Sequence, residues 1–330
     1  MKIYNTSGDS KFDVELRESE EEKEKVKVRI THVLPGASDV RIFAGDSSTK
    51  YPFVIGHSAI GVVSNDREEY GLKRGMKVII NPYTALGLER FNWEEQVKIS
   101  GVDENGFLRE FVFLDKEKII QFPEEVTEGE AIFTEKIALA LKALNAFSVS
   151  KGDYIVIVGG NTVCNILAQL AIYFQLVPIL IDSNARNLAL AEKCGVPYVI
   201  NETKESVAEK VAEYTGGRMA ESAVVYMDEE LSPSFVFPLT KFGGKVIMIG
   251  ENKVVKTFDA DISEVCRRQL RVRGVNNGES EFDSAVNILA QKILNVEGFI
   301  DKTVEMKDAE VIMREMRDAP ERYFNIVLKL

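Results

Sequence analysis

Cysteine is scarce, with Cys164, Cys194 and Cys266 the only three in 330 residues. Their number and scatter exclude a disulfide framework or a cysteine-rich metal knot, and all three are expected to stay reduced in a cytosol. Long apolar runs are missing too. No stretch reaches the roughly 18 apolar residues that a spanning helix needs, and Met1-Lys2-Ile3-Tyr4-Asn5 lacks the apolar core of a signal peptide. A cytoplasmic protein is the expectation. Positive charge is outweighed, with 41 Lys and Arg against 52 Asp and Glu and a net charge of −11. Nucleic acid and anionic membrane, both polyanionic, are therefore not expected partners. Internal repeats and low-complexity linkers are also lacking.

What is present reads as an ordinary globular chain, 45% hydrophobic and 28% charged, long enough for two domains. Residues 1–127 carry short β-like runs. Val26 to Ile30 alternates apolar and polar residues. Gly61 to Val63, Lys77 to Ile80 and Glu110 to Leu114 follow, parted by Gly, Pro and Asn turns. The charged run from Glu18 to Lys25 reads as a solvated loop or hairpin tip. Near Thr127 the rhythm changes. Glu128 to Phe147 has helical spacing, and apolar strands then alternate with helices through Asp153–Val158, Pro178–Ile181, Tyr198–Ile200, Ala223–Tyr226 and Lys245–Ile249. That alternation predicts a parallel sheet covered on both faces, the doubly wound nucleotide-binding architecture, over 128–273. Residues 274–330, ending in Phe324–Leu328, are expected to return to the first domain.

The strand at 153–158 runs into Gly159-Gly160-Asn161-Thr162-Val163-Cys164 and then a helix. This is where a G-x-G-x-x-G dinucleotide fingerprint belongs, and only its first glycine is kept. Asn161 puts a side chain where backbone normally nears a pyrophosphate, and it tolerates unusual backbone angles. Cys164 is small enough for close helix–strand packing. The next strand ends at Asp182, 23 residues after Gly159. An acid there can bind an adenosine ribose and repel a 2′-phosphate, which points to NAD over NADP. Arg186 could flank the adenine or a phosphate, and Gly250, after the strand 245–249, completes the expected cofactor set.

The run Tyr51 to Val63, YPFVIGHSAIGVV, resembles the P-x-x-x-GHE-x-x-G-x-V segment of medium-chain, zinc-type alcohol and polyol dehydrogenases. Gly36-Ala37-Ser38-Asp39 sits where that family has Cys-Gly-(Thr or Ser)-Asp. Gly75-Met76-Lys77-Val78 resembles its Gly-Asp-Arg-Val turn, Phe133-Thr134-Glu135-Lys136 its Glu-Pro-Leu helix start, and Gly243-Gly244-Lys245-Val246 its late Gly-Gly-Arg-Val strand. The ordered set covers nearly the whole chain. It implies a GroES-like β-rich substrate domain followed by a Rossmann domain.

The resemblance also implies where a catalytic zinc would bind. The family's cysteine ligand falls on Gly36, its histidine on His57, the glutamate after that histidine on Ser58, and the later acid on Glu135. Two ligands survive where three are needed, so zinc is not expected. The loop from Asn81 to Gly106 lacks the four cysteines of the family's structural zinc lobe. Ser38 takes the position of the hydroxyl that relays the alcohol proton. Lys136 and Lys142 could each reach a carbonyl oxygen or stay on the surface.

The expectation is an NAD(H)-dependent oxidoreductase, zinc-independent, acting on a small alcohol, polyol, sugar acid or matching ketone, with Ser38, His57 and Glu135 as catalytic residues. The alternative is a non-catalytic nucleotide- or metabolite-binding descendant, a sensor or partner subunit. Leu270 to Val275 is placed like the strand that pairs across a two-fold axis in relatives, so a homodimer or homotetramer is expected.

Overall fold

Alternation in the sequence becomes alternation in burial along the strand Val26–Leu34. Val26, Val28 and Ile30 are buried while Arg29 faces out, and a register shift between Ile30 and His32 then lets the adjacent Val33 and Leu34 both turn inward. The computed structural model describes residues 1–18, 24–85, 97–146, 148–227, 233–250 and 260–330. The charged loop expected at Glu18 to Lys25 lies mostly outside the described residues, as does part of Asn81 to Gly106.

The chain forms two compact units. In the first, Val26–Leu34 lies in a sheet ordered Lys302–Glu305, Ile326–Lys329, Val26–Leu34, Ser58–Val63, Lys77–Ile80, Ile119–Gln121, with Phe111–Leu114 also paired to Val26–Leu34. All of these pairings are antiparallel except that of Lys302–Glu305 with Ile326–Lys329. The C-terminal segment thus completes the N-terminal sheet, as the sequence predicts. The core beneath it gathers Val28, Ile30, Val54, Ile55, Val78, Phe107 and Ile326.

The second unit holds a six-stranded parallel sheet ordered Tyr198–Asn201, Val177–Asp182, Tyr154–Val158, Ala220–Tyr226, Thr240–Ile249, Arg271–Val275. Counted along the chain the order is 3-2-1-4-5-6, that of dinucleotide-binding doubly wound sheets. The strand order reverses beside Tyr154–Val158, where ligands bind in such folds. Its strands are apolar runs because both faces are covered. Ile155, Val156, Ile157 and Val158 are all buried.

The units divide between Glu135 and Lys136 and the chain rejoins the first at Phe299, both later than the expected 127/128 and 274. Contacts explain the difference. The short helix Glu128–Ala131 is tied to the first unit by Glu128 Oε1, 3.1 Å from Lys77 Nζ. The expected single helix 128–147 is two, Glu128–Ala131 and Thr134–Asn145. The segment after residue 274 stays with the second unit because Gly278 lies against the Ala138–Leu139 backbone and Asn295 N–H donates to Gln169 Oε1 at 2.7 Å.

Around residues 54–56 the first unit packs backbone on backbone. Gly106 N–H donates to Val54 O, Phe107 N–H to Gly56 O and Leu108 N–H to Ile55 O, at 2.6, 2.9 and 3.0 Å. A Cβ on Gly106 would lie 2.6 Å from Ile55 O and from Gly101 Cα, and closer still to Gly56 O. Only backbone surrounds that position, so nothing can yield cheaply. Gly106→Ala is therefore expected to destabilise the protein by about 1–3 kcal/mol or more. Gly129→Ala, whose Cβ meets only Ile300 Cδ1 at 3.8 Å on a helix, should be neutral or slightly stabilising. Chemical unfolding of both variants checks this, and equal midpoints would show that the close approach is not a constraint.

Candidate active site

The helix Ala37–Ala44 starts at Gly36, whose extended backbone (φ −104°, ψ −176°) suits any residue. Asp39, in the first turn, reaches back to accept the Gly36 N–H through Oδ2 at 2.8 Å. Its other oxygen accepts the Gly56 N–H at 2.7 Å. Asp39 is fully buried, and its Oδ2 also lies 3.1 Å from His57 Nδ1. With Nδ1 toward Asp39, the ring presents Nε2 in the opposite direction. Gly56 sits at φ +97°, a conformation that favours glycine, and delivers His57 to the head of the strand Ser58–Val63.

Nε2 of His57 points to Glu135, 3.7 Å from its Oε2. Glu135 lies in the first turn of the helix Thr134–Asn145, where the helix dipole favours a carboxylate. Both its oxygens accept hydrogen bonds from hydroxyls, Oε2 from Ser58 at 3.1 Å and Oε1 from Tyr83 at 2.8 Å. None of Asp39, His57, Ser58, Tyr83 or Glu135 is more than 7% exposed. All five residues of this buried polar network belong to the first unit.

Of the expected catalytic residues, His57 and Glu135 meet here. Ser38 is buried beside Asp39 in the same helical turn. Lys142 is turned elsewhere, its ammonium donating to Ser280 Oγ at 2.5 Å. Sequence reasoning did not assign a site role to Asp39, Ser58 or Tyr83. An acid three residues after an extended helix-start residue was the available signal for Asp39. No pattern announces Tyr83, which follows Asn81-Pro82 on the short strand Tyr83–Ala85.

In the second unit the glycine loop follows its strand as expected. Gly159 has φ +106° and needs to be glycine, whereas Asn161 has φ −67° and ψ 177°, an ordinary extended conformation. The tolerance of Asn161 for unusual backbone angles is therefore not called upon. Its side chain instead caps the helix Thr162–Tyr173, Oδ1 accepting the Cys164 N–H at 3.1 Å. Gly160 is glycine for a different reason. Asp182 turns its carboxylate onto the Gly160 N–H, and a Cβ there would lie 2.6 Å from Asp182 Oδ2. Asp182 Oδ1 also accepts the Asn184 N–H at 2.5 Å. Thr162 and Val163 form the first helical turn, whose N–H groups have no carbonyl one turn earlier within the helix. Arg186 is exposed at the start of the next helix, Ala185–Lys193. Gly250 follows the strand Thr240–Ile249 with open space where a Cβ would be.

Comparison with known proteins fits both units. The profile of the alcohol dehydrogenase GroES-like domain matches residues 22–124, and that of the zinc-binding dehydrogenase matches 162–291. The chain belongs to the zinc-type, medium-chain alcohol dehydrogenase family. An uncharacterized zinc-type alcohol dehydrogenase-like protein of Haemophilus influenzae is 25% identical over 298 residues, 88% of this chain and 86% of that one. Sorbitol dehydrogenase of Mus musculus is 24% identical over 279 residues, 80% of this chain and 77% of the relative. Among solved structures, a zinc-binding dehydrogenase from Sinorhizobium meliloti bound to NADP superposes with a TM-score of 0.87 at 17% identity, over 100% of this chain and 99% of that one.

The family's catalytic zinc takes three protein ligands. Here Gly36 stands in place of the thiolate, which leaves His57 and Glu135. Among the described residues no group of three or more His, Cys, Asp or Glu could hold a metal ion. The residues present do not fit that zinc.

What holds this site instead is Asp39. Asp39→Ala is expected to cost about 2–5 kcal/mol, since two buried backbone N–H groups lose their acceptor together and the imidazole loses the charge beside it. Asp39→Asn should cost less. A urea-unfolding loss below about 1 kcal/mol for the alanine variant would remove Asp39 as the anchor of the site.

Proposed function

We propose that this family member is an NAD(H)-dependent oxidoreductase that works without zinc on a small alcohol, polyol, sugar acid or the matching ketone. The observation that carries the reading is the buried placement of His57 against Asp39 on one side and Glu135 on the other. A bound nicotinamide dinucleotide would supply or accept the hydride. The protein's task is then to hold the substrate oxygen and its proton. With Nδ1 turned toward Asp39, Nε2 would take the hydroxyl proton as an alcohol is oxidised. Asp39 and Glu135 then stabilise the imidazolium so formed. In the reverse direction His57, or Ser38, donates to the carbonyl oxygen. The sorbitol dehydrogenase likeness supports a polyol among the candidate substrates.

The residues that would hold the dinucleotide are Gly159, Gly160, Asn161, Thr162, Val163, Asp182, Arg186 and Gly250. Gly159 makes the turn, and the first-turn amides of the helix Thr162–Tyr173 suit a pyrophosphate. Asp182 would exchange its backbone donors for ribose hydroxyls, and its charge opposes a 2′-phosphate. NADH should therefore bind more tightly than NADPH, and Asp182→Ser should narrow the gap. Equal affinities in the unaltered protein, measured by cofactor fluorescence, would remove Asp182 from the ribose.

One observation favours the second reading, a non-catalytic nucleotide- or metabolite-binding descendant. Asp182 is already engaged by Gly160 and Asn184, and Asn161 spends its side-chain oxygen on Cys164. Turnover decides between the two. Polyols, sugar acids and ketones screened with NAD(H) should reveal a substrate, and His57→Ala should then lower the rate by about two to three powers of ten with NADH affinity nearly unchanged. Activity that falls only as folded protein falls would make His57 a packing residue. NADH binding with no turnover of any substrate would establish the second reading.

We also propose a cytoplasmic homodimer or homotetramer. Arg271–Val275 is the edge strand of the six-stranded sheet, with Arg271, Val272, Arg273 and Gly274 exposed. An open edge of this kind favours pairing with a second copy. A monomeric mass by light scattering at micromolar concentration would count against it.

A further inference from the structure

We infer that the first unit carries a binding site for a soluble amphipathic carboxylate, of the medium-chain fatty acid kind, in a cavity that shares no residue with the His57 cluster. Its occupancy depends on neither cofactor nor turnover, so it would serve an enzyme or a sensor alike.

The cavity, of about 680 Å³, opens between a two-stranded antiparallel ribbon, Lys2–Asn5 with Asp13–Leu16, and the segment around Met306 that follows the strand Lys302–Glu305. Residues directly opposite each other in such a ribbon share a face. Tyr4 with Val14, and Lys2 with Leu16, therefore lie on one side, while Ile3 lies on the other and is buried in the core. The first side is apolar yet open, with Val14 55% and Leu16 77% exposed. Phe12 and Met306 extend the same apolar lining. An apolar surface set in a concavity is where an apolar tail gains most on binding.

The rim sets the sign of the head group. Both acids that line the cavity are already met by cations, Glu305 by Lys329 at 3.0 Å and Glu310 by Arg314 at 2.6 Å. Glu310 also accepts the Phe12 N–H at 3.2 Å, and nearby Glu110 accepts the Lys2 backbone N–H at 3.0 Å. The ammonium groups of Lys2 and Lys307, in contrast, have no acceptor among the described residues. Burial, and then the charge of Glu110, push the Tyr4 hydroxyl up, so it stays protonated at neutral pH and can donate. An apolar wall beside two unpaired cations and a hydroxyl donor matches a carboxylate on an apolar tail. A neutral polyol would leave both the wall and the cations unused.

The test titrates octanoate into the full chain with its methionine methyls labelled for NMR and no NAD(H) present, using hexanoate and octanol as comparators. The Met306 signal is identified by Met306→Leu. Octanoate should shift that signal saturably, and each methylene removed from the tail should weaken binding about two- to fourfold. Octanol should bind more weakly than octanoate. Replacing both lysines, Lys2→Gln with Lys307→Gln, should weaken octanoate about three- to tenfold. Val14→Asp, which sets an anion on the apolar wall, should weaken it at least as much. Val311→Asp, the same change at an exposed residue outside the cavity, should leave the affinity unaltered. Circular dichroism checks folding, and the lysine variant covers a failure of Val14→Asp to fold. No saturable Met306 shift, octanol binding as tightly as octanoate, or unaltered affinity in either folded cavity variant would each overturn the site. Conversion of an oligomer to a monomer by Val14→Asp would overturn it too, by giving this face to a second copy.

Discussion

The buried carboxylate of Asp39 ties the start of its own helix to the turn at residues 56 and 57, 17 residues further along the chain. It accepts the Gly36 N–H at the start of a helix, accepts the Gly56 N–H at a tight turn, and faces the imidazole of His57. A carboxylate with no exposure is tolerable only when its lone pairs are filled and positive potential lies near. The helix start supplies both. The turn it grips has little freedom of its own, because Gly101 and Gly106 press their backbones against residues 55–57. The histidine is consequently fixed from two sides, by an electrostatic anchor and by a steric one. A change in either moves the ring relative to Glu135.

The second unit shows the opposite economy. Its glycine loop is shaped by polar groups that satisfy one another, Asp182 with Gly160 and Asn184, Asn161 with Cys164. A dinucleotide would have to replace the donors now on Asp182. Hydrogen bonds to charged groups contribute about 1.5–3 kcal/mol, and each 1.4 kcal/mol is tenfold in affinity. The ribose hydroxyls return much of that, so the net effect turns on how well they match the donors displaced. Gly160 illustrates the point, since its lack of a side chain makes room for the carboxylate of Asp182 at the end of the neighbouring strand.

Much of this was legible in the sequence, and what was not has physical causes. Strand alternation, the parallel apolar runs and the return of residues 326–329 to the first sheet are period and burial effects, which a sequence displays directly. The junction near 135 was not visible, because helical spacing runs through Ile132 and Phe133 although the chain forms two helices there. His57 and Glu135 were found by their place in an ordered set of motifs. Tyr83 was not, because 52 residues separate it from Glu135 and only the folded first unit joins them. Asn161 uses its capping ability rather than its tolerance of unusual backbone angles.

Charge bears on how such a centre could stay buried without a metal. Against the family pattern, Gly36 stands in place of a thiolate and Ser58 in place of the glutamate that follows the histidine. Without a zinc dication as well, two negative charges and one doubly positive ion would be missing together, and the net charge of the site would be unchanged. Had the glutamate stayed, two neighbouring carboxylates at residues 58 and 135 would repel one another at low dielectric, with no ion between them. Serine at residue 58 does more than remove that repulsion. Its hydroxyl donates to Glu135 Oε2, and Tyr83 donates to Oε1, so the remaining carboxylate keeps a donor on each oxygen. Glycine at residue 36 and serine at residue 58 together leave a network in which His57 stands between two carboxylates.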